Sequence, residues 1–126
     1  RGRLTGIVSL LILGGLATGA KGAVGSSFGF AAPLLLQIIA AFEAGKMEEA
    51  QGWMAKEARL VRMLNTEPGP YNSCVKQVVW PMLGFEVGPC RVPQAILSEE
   101  DVAHARARLE ESGFAQELAS GEFQLP

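Results

Sequence analysis

Residues 19–33 read GAKGAVGSSFGFAAP, and the reading of this stretch decides the fold. Ala23 and Val24 form a very short apolar run closed by Gly25. Its β-propensity is modest, so a strand here depends on neighbours, as in a barrel. Ser26 and Ser27 follow, and a helix is expected from near Ala31. Pro33 suits the first turn of that helix, where a missing N–H costs nothing. Leu34, Leu35, Ile38, Ile39 and Phe42 recur at helical spacing and should form its buried stripe. Gly45 should end it.

Upstream, Leu10, Leu11, Leu13, Leu16 and Ala17 predict a helix over 9–18, with Gly19 as the residue after its C-cap. Leu4-Thr5-Gly6-Ile7-Val8 is the one other stretch that could supply a strand. Downstream, a helix is expected from about Met47 to Leu64. Met47, Ala50, Trp53, Met54, Ala58, Val61 and Leu64 fall on one side of it, and Glu48, Glu49, Lys56 and Arg59 mainly on the other. Residues 65–72, NTEPGPYN, read as a loop. Asn72 or Ser73 can cap a helix that ends near Leu83, with Pro81 kinking or shortening its last turn. Residues 84–97 should be extended. Ser98-Glu99-Glu100-Asp101 resembles a capping box, with Asp in place of the usual Glu or Gln. The helix it opens should reach Ser112 and stop at Gly113, leaving 119–126 as a loose tail. The result is a two-strand, five-helix set, too few strands for a sheet of its own.

Length and composition narrow the function. The chain has 126 residues, 48% of them apolar and 19% charged, with a net charge of −2. That is one domain's worth of core, and it argues against disorder and against a general nucleic-acid binder. The charges are uneven: residues 1–42 hold Arg1, Arg3 and Lys21 and no acid, while all 13 acids begin at Glu43. The uncharged runs 4–20 and 22–42 resemble a signal or membrane segment, but Gly, Ser and Pro interrupt both. Buried α/β elements fit them better, because parallel strands covered on both faces read as continuous apolar segments.

Two Cys and one His are too few for a multi-ligand zinc site, and Cys74 and Cys90 are expected to be free thiols. Asp101 is the only Asp, which excludes an EF-hand loop. Asp101 and His104 lie three apart on one helix and read as a surface pair rather than part of a triad. No P-loop pattern occurs.

Residues 19–50, GAKGAVGSSFGFAAPLLLQIIAAFEAGKMEEA, resemble the class I aldolases of the N-acetylneuraminate lyase and dihydrodipicolinate synthase family. The family stretch reads approximately G-A-x-G-A-[VI]-G-S-T-[YF]-N, then a helix, then A-F-x-x-G-[DK]-x-x-x-A. Residues 84–93, GFEVGPCRVP, look like the family's G-x-x-x-G-P-x-R-x-P. Order and spacing agree from about Leu13 to Phe114. The resemblance implies an α/β fold: the C-terminal part of a (β/α)8 TIM barrel plus a C-terminal helical appendage, mostly α as an isolated chain. Residues 1–45 would hold the last barrel elements (helix 7, strand 8 at Ala23-Val24-Gly25, and helix 8), with 1–12 atypical. Residues 46–118 would be the appendage and 119–126 a tail.

The chemistry that the resemblance implies is aldol cleavage or condensation of pyruvate through a lysine Schiff base, whose protonated imine is an electron sink. A tyrosine shuttles protons. In the family both residues lie upstream of this segment. None of Lys21, Lys46, Lys56 and Lys76 matches the Schiff-base position, and Tyr71 is not the catalytic tyrosine. No catalytic residue is therefore expected in this chain, which alone should be inactive. Ser26 and Ser27 are the substrate-binding candidates: in lyase members the serine of G-S-T contacts the sugar acid. Alternatively, both serines only cap the following helix. The family's sugar-binding Asp-Glu pair would fall on Ser9 and Leu10, where no acid lies.

Gly25-Ser26-Ser27-Phe28 is closer to the lyase pattern than to the synthase's S-V-x-A-N, whereas Glu67-Pro68-Gly69-Pro70 is similar to the synthase's E-x-N-P. The favoured parent cleaves N-acetylneuraminate to N-acetylmannosamine and pyruvate. A dihydrodipicolinate synthase-like or other 2-oxo-acid aldolase is the alternative. A truncated helical protein that binds a partner through an exposed barrel face is a non-catalytic one. The family reading implies no cofactor, no metal, no nucleic acid and no membrane. It implies a small-molecule sugar acid or pyruvate as ligand, a homo-tetrameric parent and a cytoplasmic location.

Overall fold

A computed structural model of the chain describes residues 11–65 and 70–125. Among these the regular structure is helical, and no strand is present. In order come α1 (Ile12–Ala17), α2 (Phe28–Glu43), α3 (Met47–Asn65), α4 (Tyr71–Cys74), a π-helical turn (Val75–Val79), α5 (Trp80–Met82), α6 (Glu99–Glu111) and α7 (Phe114–Ser120). The possible strand at 4–8, Ser9 and Leu10 of the expected first helix, and residues 66–69 of the expected 65–72 loop lie outside the described residues; Asn65 ends α3, and Tyr71 and Asn72 open α4. The chain divides into two compact units, Arg1–Arg59 with Gly121–Pro126, and Leu60–Ser120.

In the first unit α1 packs on α2. Gly19 and Gly45 end these two helices in the same way. Each takes a left-handed conformation, φ 86° and 73°, that a side chain would strain. The amides that follow close back onto helix carbonyls, Ala20 N–H to Gly15 O at 2.9 Å and Lys46 N–H to Ala41 O at 2.9 Å. Both ends were legible in the sequence. The face of α1 was not: Ile12 and Gly15 are its buried residues, while Leu11 is 63% exposed. The run is apolar on every side, so hydropathy gives its helix no phase.

Helix α2 starts earlier than expected, at Phe28, but its backbone breaks at Ala31 (φ −121°, ψ 24°). The main body therefore begins after Ala31, with Pro33 in its first turn, as its chemistry requires. Leu34, Leu35 and Ile38 are buried, and Ile39 and Phe42 are half-buried. The expected strand at Ala23-Val24-Gly25 does not form: residues 21–25 are irregular, and Val24 is 73% exposed. A strand is stable only when its N–H and C=O groups are paired by neighbours, and no described residue supplies them.

Helix α3 has the expected span, but its inner face is turned by about one position. Ala50, Trp53, Glu57, Leu60, Val61 and Leu64 are buried, while Met47 is 44% exposed. Residues after Ser120 return to the first unit. Lys56 Nζ donates to the Gln124 carbonyl, and Leu125 lies over the helical face at Gly52.

In the second unit, α4, the π turn and α5 form one continuous helical run. Ser73 is not its cap: the N-cap position is Pro70, and the Ser73 hydroxyl donates to the Ala95 carbonyl instead. Pro81 acts upstream of its own turn. It has no N–H for the Gln77 carbonyl and its ring crowds that turn, and the helix widens over Val75–Val79. There Trp80 N–H reaches back five residues to the Val75 carbonyl. Cys74 and Cys90 are both buried, and neither is in a disulfide.

Helix α6 opens with the expected box. The Ser98 Oγ accepts from Asp101 N–H at 3.1 Å, and Asp101 Oδ2 accepts from Ser98 N–H at 3.3 Å. Ser98→Ala should therefore cost about 1 kcal/mol of stability, and Ser98→Thr much less. Thermal unfolding of the two variants checks this, and equal melting temperatures would show that the box contributes nothing. Helix α7 was not foreseen. It packs on α6, and its Phe114, Ala115 and Leu118 are buried.

Candidate functional site

The two serines singled out by sequence sit in one turn but face different surroundings. Gly25–Ser27 leads directly into α2, with Phe28 N–H donating to the Gly25 carbonyl at 3.3 Å. Ser26 is exposed. Ser27 is fully buried, and its hydroxyl donates to Glu57 Oε1 at 2.9 Å. Neither behaves as a simple helix cap. Ser27 occupies the N-cap position of α2, yet its side chain makes no capping bond. Its carbonyl does accept from Phe30 and Ala31 N–H, at 3.2 and 2.8 Å.

The consequence for binding is a division of labour. Ser26 has a free path to solvent and can offer one O–H donor and two lone pairs to a carboxylate or sugar hydroxyl. Ser27 has its one proton committed to Glu57 and is closed off from solvent. Glu57 itself escaped the sequence reading, because an acid beside Lys56 on a charged helix looks solvated. The signal was present in the spacing: Ala50, Trp53, Glu57, Leu60 and Leu64 follow the 3-4 rhythm of a buried stripe, with Glu57 at its centre.

A cavity of about 240 Å³ lies elsewhere in the same unit. Its apolar wall is Ile12, Leu16, Ile39 and Phe42, with Lys21 and Glu43 also lining it. It sits at the C-terminal ends of α1 and α2, whereas the serines stand at the N-terminal end of α2. The remaining lysines have partners of their own. Lys46 pairs with Glu49 at 3.2 Å, Lys56 bonds the Gln124 carbonyl, and Lys76 Nζ donates to the Pro89 carbonyl at 3.0 Å. Tyr71 opens α4 in the second unit, and Asp101 is occupied by its cap beside an exposed His104. Among the described residues no group of three or more His, Cys, Asp or Glu could hold a metal ion, and no helix is long and apolar enough to cross a membrane.

Residues 5–112 match the dihydrodipicolinate synthetase family. Of solved structures, the Proteus mirabilis N-acetylneuraminate lyase is 32% identical and superposes with a TM-score of 0.75, over 86% of this chain and 36% of the lyase. The Aliivibrio salmonicida N-acetylneuraminate lyase (sialic acid aldolase) is 28% identical, with a TM-score of 0.75 over 86% of this chain and 35% of the enzyme. The Ruminococcus gnavus sialic acid aldolase shares the fold, with a TM-score of 0.76 at 23% identity over 93% of this chain and 40% of that one. No curated protein sequence matches. The chain thus spans well under half the length of each of these three structures.

Proposed function

The chain belongs to the dihydrodipicolinate synthetase family, and from that premise we propose that it is the C-terminal portion of a pyruvate-dependent aldolase of the N-acetylneuraminate lyase type. The family fold is a (β/α)8 barrel, of which this chain is a mostly helical C-terminal part. In this reading residues 1–45 supply the last barrel elements, 46–118 the helical appendage and 119–126 a tail. Residues 23–25 stand in the place of strand eight, and the exposed Val24 waits for the neighbouring strands. Active sites of such barrels lie at the C-terminal ends of the strands. That is where Ser26 follows Gly25.

The parent would cleave N-acetylneuraminate to N-acetylmannosamine and pyruvate through a lysine Schiff base. The lysine and the proton-shuttling tyrosine come from barrel strands outside these residues. This chain contributes a hydroxyl, Ser26, that binds and orients the sugar acid, and Ser27 supports it from within. No cofactor is required, because the protonated imine itself takes up the electron pair released by carbon–carbon cleavage. A homo-tetrameric, cytoplasmic parent completes the proposal. The likeness to the Proteus mirabilis lyase, which combines identity with superposition over most of the chain, carries this reading. The second reading, another 2-oxo-acid aldolase, rests on the synthase-like Glu67-Pro68-Gly69-Pro70.

A chimera separates the two. The matching segment of the Proteus mirabilis lyase is replaced by residues 13–114 of this chain, and pyruvate trapping and N-acetylneuraminate cleavage are both measured. We expect both activities, with Ser26→Ala raising KM for the sugar acid about tenfold, the effect of one lost hydrogen bond to a charged group. A folded chimera that traps pyruvate but does not cleave N-acetylneuraminate would favour the second reading.

A further inference from the structure

Among the described residues Glu57 is the one acidic or basic side chain that is buried, and the proposed reaction gives it no task. Its place in the stripe between Trp53 and Leu60 would suit a leucine. Taking a carboxylate out of water is costly unless hydrogen bonds replace the water. Its retention therefore calls for a partner, and Ser27 is one. The bond between them is 2.9 Å long, wholly buried, and joins residues 30 apart in sequence.

The geometry around Ser27 explains what the bond can do. Its carbonyl is held by Phe30 and Ala31 N–H, and its hydroxyl is turned away from the helix end and across to α3. The preceding Gly25 carbonyl is held by Phe28 N–H. Ser26 is the exposed residue between these fixed points. The Ser27 hydroxyl thus ties the turn to α3 from inside.

We propose that Glu57 is a positioning residue for the serine turn: by holding the Ser27 hydroxyl, it sets the direction in which Ser26 meets an anionic, polyhydroxylated substrate. Glu57 acts through Ser27 and does not touch the substrate. The Ser27 hydroxyl has one proton and donates it inward to Glu57 Oε1, so that donor is withheld from the ligand. The specificity of the turn then rests on one hydroxyl, Ser26. This inference rests on the reading of Ser26 as a substrate contact.

Amide hydrogen exchange of the 126-residue chain, read residue by residue by NMR, tests it. Ser27→Ala and Glu57→Leu should speed exchange at Phe28, Phe30 and Ala31 about tenfold, the loss of one buried hydrogen bond. Leu60 and Leu64 in α3 should change by less than about twofold, because local opening does not require global unfolding. Glu57→Gln, whose amide oxygen still accepts, should return the turn to near wild-type exchange. Should Glu57→Leu fail to fold, Ser27→Ala removes a single oxygen and gives the same readout. An unchanged turn in folded Ser27→Ala would overturn the proposal. So would an equal rise at the turn and at Leu60 and Leu64, or a Gln variant as fast as the Leu variant. Failure of the Ser26 reading shows up separately, as an unchanged sugar-acid KM in the Ser26→Ala chimera.

Discussion

Leu34→Ala should lower the unfolding free energy by about 2–5 kcal/mol. Leu34 is fully buried on the inner face of α2, next to Leu35 and one turn before Ile38, which are equally inaccessible. Alanine removes the transfer energy of the lost methyl and methylene groups and leaves a void that the helix cannot close. The pyrrolidine ring of Pro33 and the break at Ala31 fix where this helix starts, so it has little freedom to slide inward. A chain this short has little stability to spare, and most of it would be consumed. Urea unfolding followed through α2 resonances provides the measurement. A fall in midpoint with unchanged slope is expected. A loss below about 0.5 kcal/mol, the level of a surface change, would mean that α2 does not form the core of its unit.

How far the sequence reveals this structure depends on how local the governing physics is. Helix ends set by a single backbone conformation or a four-residue box were readable: Gly19, Gly45 and Ser98 with Asp101 all do what their chemistry demands. The span of α3 was readable too, since its periodicity holds over Met47–Asn65. Faces were harder. Helix α1 is apolar all round and offers no contrast. On α3 the near-equal apolar weights of Ala58 and Met54 drew the stripe one position away from Glu57.

Non-local features were the least legible. The Ser27–Glu57 bond joins two elements across 30 residues, and nothing within either segment announces it. The Ser73 hydroxyl is drawn to Ala95 by the fold of the following segment, not by its own helix. The expected strand at 23–25 was read from a motif whose partners lie in other strands, and without them the backbone is irregular. Helix α7 has one turn of apolar contacts, Phe114, Ala115 and Leu118, too short a period to stand out from chance. Of the candidate site, the position of the turn was legible and the separate fates of its two serines were not.

If this chain is the C-terminal part of a Schiff-base aldolase, it carries a substrate-facing turn but not the amine that attacks pyruvate. Imine formation at neutral pH needs a lysine whose charged form is disfavoured by burial or a neighbouring cation. Lys46 is exposed and paired with Glu49. Lys56 and Lys76 hold carbonyl oxygens as donors. Lys21 is exposed at the cavity it shares with Glu43. Each is either exposed or already bonded elsewhere. The decisive measurement is therefore the mass of the 126-residue chain after treatment with pyruvate and borohydride, with the Proteus mirabilis lyase treated alongside it. We expect a reduced pyruvate adduct on the lyase and an unchanged mass for this chain. A stoichiometric adduct on Lys21, Lys46, Lys56 or Lys76 would contradict it.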